Sequence, residues 1–159
     1  MQDRNLFGCE FLMLPTQLLA KKIRINALKM VHKAKASHIG SALSIADVLA
    51  VLYGQVMNFD PTNPSSETRD RFILSKGHAC VAVYSTLAEV GVIPKDQLQT
   101  YGDDFSWLMN HISHKVPGVE FSTGALGHGL PFGVGKVLAA QVQNASWRTY
   151  VVLSDGEMD

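Results

Sequence analysis

Asp155 ends the run Tyr150-Val-Val-Leu-Ser154-Asp155-Gly156, whose apolar, β-branched start predicts a strand buried on both faces. In open α/β sheets ligands bind just beyond the carboxyl ends of strands, so a carboxylate there is placed to hold a divalent cation. Gly156 lets backbone N–H groups approach an anion. His78 is a second candidate, because Arg71-Phe-Ile-Leu-Ser75 runs through Lys76-Gly77 into a predicted helix over Ala79 to about Val90. That is a βα unit with His78 at the helix start, where an anion is welcome. The loop Gly124-Ala125-Leu126-Gly127-His128-Gly129 is a third, with small residues suited to close approach of the backbone to a ligand. Together the three turns suit a phosphate plus a divalent metal. Taken singly each is weak: a lone Asp-Gly after a strand is most often a turn, and a lone His at a helix start is most often structural. There is no nucleophile-elbow triad, P-loop or Rossmann glycine fingerprint.

Positioning these groups requires a core, and 159 residues with 47% apolar composition supply one. Acidic and basic residues balance at 14 each, which argues against nucleic acid or an acidic membrane surface as the main partner. The two cysteines, Cys9 and Cys80, fit no metal or redox spacing and read as reduced, buried thiols. With no signal-peptide pattern and no run long enough to span a bilayer, the expected location is cytoplasmic. On that ground Asn144-Ala-Ser146 is not read as a glycosylation site.

Residues 1–14 lack a clear period and are expected to form a loosely held arm; residues 15–159 form the domain. From about Pro15, Leu19, Ile23, Ala27, Met30, Val31 and Ala34 fall on one helical stripe. The opposite side carries Lys21, Lys22, Arg24, Lys29, Lys33 and Lys35 without an acid, a solvated face or an attractor of phosphorylated substrates or an acidic partner. Ser44-Ile-Ala-Asp47 is expected to cap a second helix. Pro94 opens a short helix through Gln99, residues 102–117 are irregular with His111 and His114, and a helix spans about Pro131 to Asn144. Neither His32 nor His114 is expected to be functional. Two strands with helices between them argue an α/β fold with parallel pairing, incomplete as a sheet.

Four ordered motifs carry a more specific resemblance: Ser37-His38-Ile39-Gly40-Ser-Ala-Leu-Ser44, Asp70-Arg-Phe-Ile-Leu-Ser-Lys-Gly-His78-Ala79, Pro117-Gly-Val-Glu-Phe-Ser-Thr-Gly124-Ala-Leu126-Gly-His-Gly129 and Ser154-Asp155-Gly156-Glu157. Together, from about Leu18 to the last residue, they resemble the N-terminal, diphosphate-binding part of the transketolase family. The resemblance implies thiamine diphosphate-dependent transfer of a two-carbon ketol unit between sugar phosphates, the cofactor serving as nucleophile and electron sink. It implies that His38 and His111 contact the sugar, with His38 moving protons at the reacting hydroxyl. It puts His78 on the diphosphate near the substrate, and Gly124, Ala125 and Leu126 along the cofactor. Asp155 would ligate Mg²⁺ or Ca²⁺ and the Gly156 N–H would meet the diphosphate. Histidine suits such chemistry because a neutral imidazole can give or take a proton near pH 7.

Ile39 stands where the family often has Pro, Ser154 where it usually has Gly, and the loop around His111 is shorter than usual. The family's second metal ligand, an Asn, is not within these residues, and its activating glutamate lies on a pyrimidine-binding domain, usually from the other half of a dimer. The resemblance thus implies a partner, a pyrimidine-binding domain or subunit, in a homodimer or heterotetramer. It also implies little cofactor affinity or turnover by these residues alone. Related readings are another thiamine diphosphate enzyme, such as a deoxyxylulose-phosphate synthase or a dehydrogenase component, and a non-catalytic interaction module. The three histidines and Ser75-Lys-Gly-His78 favour transketolase.

Overall fold

The computed structural model describes residues 15–159, so the arm over 1–14 and Cys9 lie outside it. Helix α1 spans Pro15–Ala34, opening on a proline whose fixed φ suits a first helical position. It buries Ala20, Ile23, Ala27 and Met30 and packs against α4 and α3. It ends in a Schellman motif: Lys35 is left-handed (φ 50°) and the Ala36 N–H donates to Val31 O at 3.0 Å. Two short helices follow, α2 (Ile39–Ser44) and α3 (Ala46–Val51), the latter running into a π turn over Leu52–Val56.

Strand β1 (Arg71–Leu74) leads through a 3₁₀ turn at Gly77–Ala79 into α4 (Cys80–Glu89). Nine consecutive α4 residues, Cys80 to Ala88, are buried, as expected of a helix surrounded by core on every side. After a 3₁₀ helix at Lys95–Thr100 and a long irregular stretch come α5 (Gly129–Val142), β2 (Thr149–Val152) and a last 3₁₀ turn, Asp155–Glu157. β1 and β2 pair in parallel, with Arg71 opposite Thr149 and Leu74 opposite Val152. Side chains alternate across the sheet: Phe72, Leu74, Tyr150 and Val152 join the α1–α4 core, whereas Val151 meets α5. Asp70 aligns the strand starts, accepting the Arg148 N–H at 2.7 Å and the Asn58 N–H at 2.9 Å. The architecture is α/β, a parallel sheet flanked by helices, and it is a partial domain.

Four expectations are corrected. β2 is half-buried throughout, because among the described residues it has one strand neighbour and one open edge. Ser44 does not cap α3: it closes α2 and its hydroxyl donates to Ser41 O at 2.8 Å. The cationic face of α1 is not wholly solvated, since Arg24 forms a bidentate pair with Asp47 and Lys33 pairs with Asp103 at 3.1 Å. The acids come from distant segments, which a one-helix reading does not see. The last helix also begins earlier than its apolar pattern, at Gly129 rather than Pro131.

Candidate active site

The carboxyl ends of the two parallel strands bring together Ser75 and Ser154, and the glycine loop lies over both. The Gly129 N–H donates to Ser75 Oγ at 3.0 Å, and Thr123 Oγ1 donates to Leu74 O at 2.6 Å. A Cβ on Gly129 would stand 2.5 Å from Ser75 Cβ, and one on Gly77 would overlap Thr123 O. Glycine at both positions is therefore what lets the loop close on β1.

The three histidines converge beside these ends. The His38 ring lies 5.1 Å from that of His78 and 6.0 Å from that of His111, centroid to centroid. Each is held by its own element. His38 sits at the start of α2 in a left-handed conformation (φ 70°), which turns the chain sharply there. His78 leaves the 3₁₀ turn ahead of α4 and shares a hydrogen bond with Ser41 Oγ at 3.0 Å through Nε2. The His111 backbone is fixed from below: its carbonyl accepts from the buried Tyr84 hydroxyl at 3.0 Å, and the next N–H, of Ile112, donates to Gly77 O at 3.0 Å. His38 and His111 are exposed and His78 is half-buried. Burial, then the neighbouring His38, Lys76 and His111, hold the His78 pKa below the ordinary imidazole range, so its ring is neutral at pH 7. His32 and His114 lie outside this group; His114 bonds Ser122 Oγ through Nδ1 at 2.7 Å.

Lys76 is a site residue that pattern reasoning missed. Its side chain is buried, and Nζ donates to Ser44 Oγ at 3.1 Å and Ser41 O at 3.4 Å. Burial lowers its pKa, while the negative charges of Glu157 and Asp155 act in the opposite sense. Lys76 thus places a buried cation within electrostatic reach of His78 on one side and of Asp155 and Glu157 on the other. The only sequence signal was its place one residue before Gly77.

Asp155 and Gly156 stand exposed in the last turn, and Gly124, Ala125 and Leu126 are exposed in the loop. No hydrogen bond reaches the Asp155 carboxylate among the described residues, leaving it open to a cation. No group of three or more His, Cys, Asp or Glu side chains forms a complete metal cage among the described residues. Glu157, also missed, is the opposite of Asp155: its carboxylate accepts from Ser75 Oγ, the Gly127 N–H and Ser154. A signal for it was present, because Ser154-x-x-Glu157 has capping-box spacing, and the box forms.

Residues 16–159 match the family described as "Transketolase, thiamine diphosphate binding domain". The chain is 45% identical over 141 residues to an apulose-4-phosphate transketolase subunit from Phocaeicola vulgatus, covering 89% of this chain and 50% of that protein. It is 38% identical over 141 residues to a 6-deoxy-6-sulfo-D-fructose transketolase subunit from a Clostridium species, covering 88% and 51%. A Pichia stipitis transketolase variant solved with fructose 6-phosphate superposes with a TM-score of 0.86 at 33% identity, over 92% of this chain and 23% of that one. The chain thus spans about half the length of these curated relatives.

Proposed function

The chain belongs to the transketolase family through its thiamine diphosphate binding domain, and on that premise we propose that it carries the diphosphate and metal half of a site for two-carbon ketol transfer between sugar phosphates. The convergence of His38, His78 and His111 beside Lys76 and Asp155, at the carboxyl ends of two parallel strands, carries this reading. The chain's own groups fit the cofactor. Asp155 offers an open carboxylate to Mg²⁺ or Ca²⁺, and Gly156 and the loop over Gly124 and Ala125 offer exposed backbone to a diphosphate. Leu126, 53% exposed, offers an apolar side chain against which a ring can rest.

When bound, thiamine diphosphate supplies a carbanion nucleophile and an electron sink. The side chains bind and move protons around it. His78, its Nε2 engaged by Ser41 Oγ and its pKa lowered by burial, would present its other ring nitrogen to the diphosphate. His38 and His111, both exposed, meet the sugar, with His38 taking and returning the proton at the reacting hydroxyl. Lys76, buried and bonded to Ser41 O and Ser44 Oγ, would add a positive charge to the site that receives the anion.

We assign residues 15–159 to one diphosphate-binding α/β domain that works in the cytoplasm, consistent with a free thiol at Cys80. Its partner supplies the pyrimidine-binding domain, within a homodimer or heterotetramer; the split form is supported by relatives that are themselves named as single subunits of a transketolase. The test is turnover of a ketose phosphate and an aldose phosphate with such a partner, thiamine diphosphate and Mg²⁺. Asp155→Ala should abolish metal-dependent turnover, and unchanged turnover refutes its ligand role. A wild-type chain that pairs with the partner but never turns over is an interaction module instead.

A further inference from the structure

Resting on the reading above, we propose that Glu157 is a positioning residue of the same site, clamping both strand ends and the glycine loop so that Asp155, Gly156 and Gly124 to Leu126 meet the diphosphate in one arrangement. Its Oε1 accepts from Ser75 Oγ at 2.5 Å and from the Gly127 N–H at 2.8 Å. Its Oε2 accepts from the Ser154 N–H at 2.7 Å and from Ser154 Oγ at 3.0 Å. Four donors saturate a carboxylate, so Glu157 has no lone pair left for a metal. Asp155, two residues earlier, is exposed. The two acids of one turn thus have separate tasks: Asp155 faces the cation and Glu157 fixes the frame.

The loop needs that frame because packing does not supply it. Gly124, Ala125 and Leu126 are all exposed, and Gly127 adopts φ 85°, a conformation glycine reaches and leaves easily. The three residues hang between two pins. One is Thr123 Oγ1 on Leu74 O; the other is the Gly127 N–H on Glu157. Ser75 extends the second pin, donating to Glu157 while accepting from the Gly129 N–H. Without the carboxylate, four donors from three segments lose their common acceptor, and the loop, β1 and β2 are free to separate.

Hydrogen exchange on the 159-residue chain and equilibrium binding of thiamine diphosphate with Mg²⁺ to the partnered enzyme test this. Glu157→Gln, which keeps the size but puts an NH₂ where the Ser154 N–H needs an acceptor, should speed exchange at Gly127, Gly129 and Ser154 while α4 amides stay as slow as before. Cofactor affinity should fall roughly 10–100-fold, as for other partners that orient ligands. Ser75→Ala should act in the same direction, and the double variant should be no worse than the more severe single one. Unchanged exchange in both variants overturns the clamp, whatever the cofactor does. Faster exchange with unchanged affinity overturns the positioning role. A wild-type enzyme that fails to bind thiamine diphosphate sinks the cofactor reading instead, and exchange alone then judges the clamp.

Discussion

Two glycine-to-alanine substitutions in the same loop, at Gly124 and Gly129, should have opposite consequences. At Gly129 an added Cβ would lie 2.5 Å from Ser75 Cβ, 2.6 Å from Ser75 Oγ and 2.7 Å from Ser75 Cα. Two of those atoms are tied to the backbone of the β1 exit, so no side-chain rotation relieves the contact. Alanine favours a helix over glycine by about 1 kcal/mol, and Gly129 is the first residue of α5. Forced overpacking costs about 1–3 kcal/mol, and displacing α5 also breaks the Gly129 N–H to Ser75 Oγ bond, worth about 1 kcal/mol. The clash wins, with a net loss of about 2 kcal/mol, or roughly 4–8 °C in Tm for a chain of this length. At Gly124 no atom lies within 4 Å of the added Cβ, and reduced freedom of the unfolded chain favours alanine by about 0.5 kcal/mol. Urea titrations of the wild type, Gly129→Ala and Gly124→Ala should therefore give a lowered midpoint for the first variant and an equal or raised one for the second. Equal midpoints for both variants would refute the argument that the loop sits on Ser75 through a missing side chain.

Glu120, 8% exposed at its side chain, faces Arg69, Arg71 and Lys136, and Glu120→Gln should cost about 3–5 kcal/mol in urea titrations by leaving the largely buried Arg69 and Arg71 without their carboxylate. Arg24→Ala, which breaks an exposed pair with Asp47, should cost under about 1 kcal/mol in the same assay. His78 has a depressed pKa in the folded chain, so the unfolded chain binds more protons below about pH 6.5 and stability should fall as pH drops from 7 to 5. His78→Gln should flatten that slope in thermal melts across the range; an unchanged slope would remove His78 as its source. Burial pushes the Cys80 thiol up to about 12, so in a Cys9→Ser variant a thiol reagent at pH 8 should react only at the rate of unfolding. Rapid labelling of the native chain would contradict that burial.

The sequence by itself determined the fold class, the βα unit around His78, the helix of α1 and the identity of the chemical groups. Each depends on signals local to a short stretch: the stripe through Ile23, Ala27 and Met30, the apolar run into Ser75, and the glycines at 124–129. The order of four such stretches was enough to point to a family. Tertiary structure decided which of two neighbouring acids is open and which is bound. Asp155 and Glu157 are alike in composition and nearly adjacent, and they differ because Ser75 and Gly127 come from segments far away in the chain. It likewise paired Arg24 with Asp47, left β2 with one open edge among the described residues, and put Lys76 beside His78 in a group of three histidines drawn from separate segments. Local periodicity records how a segment buries its own apolar side chains. The partner of a charge is set by which segments meet after folding, and no single segment encodes that meeting.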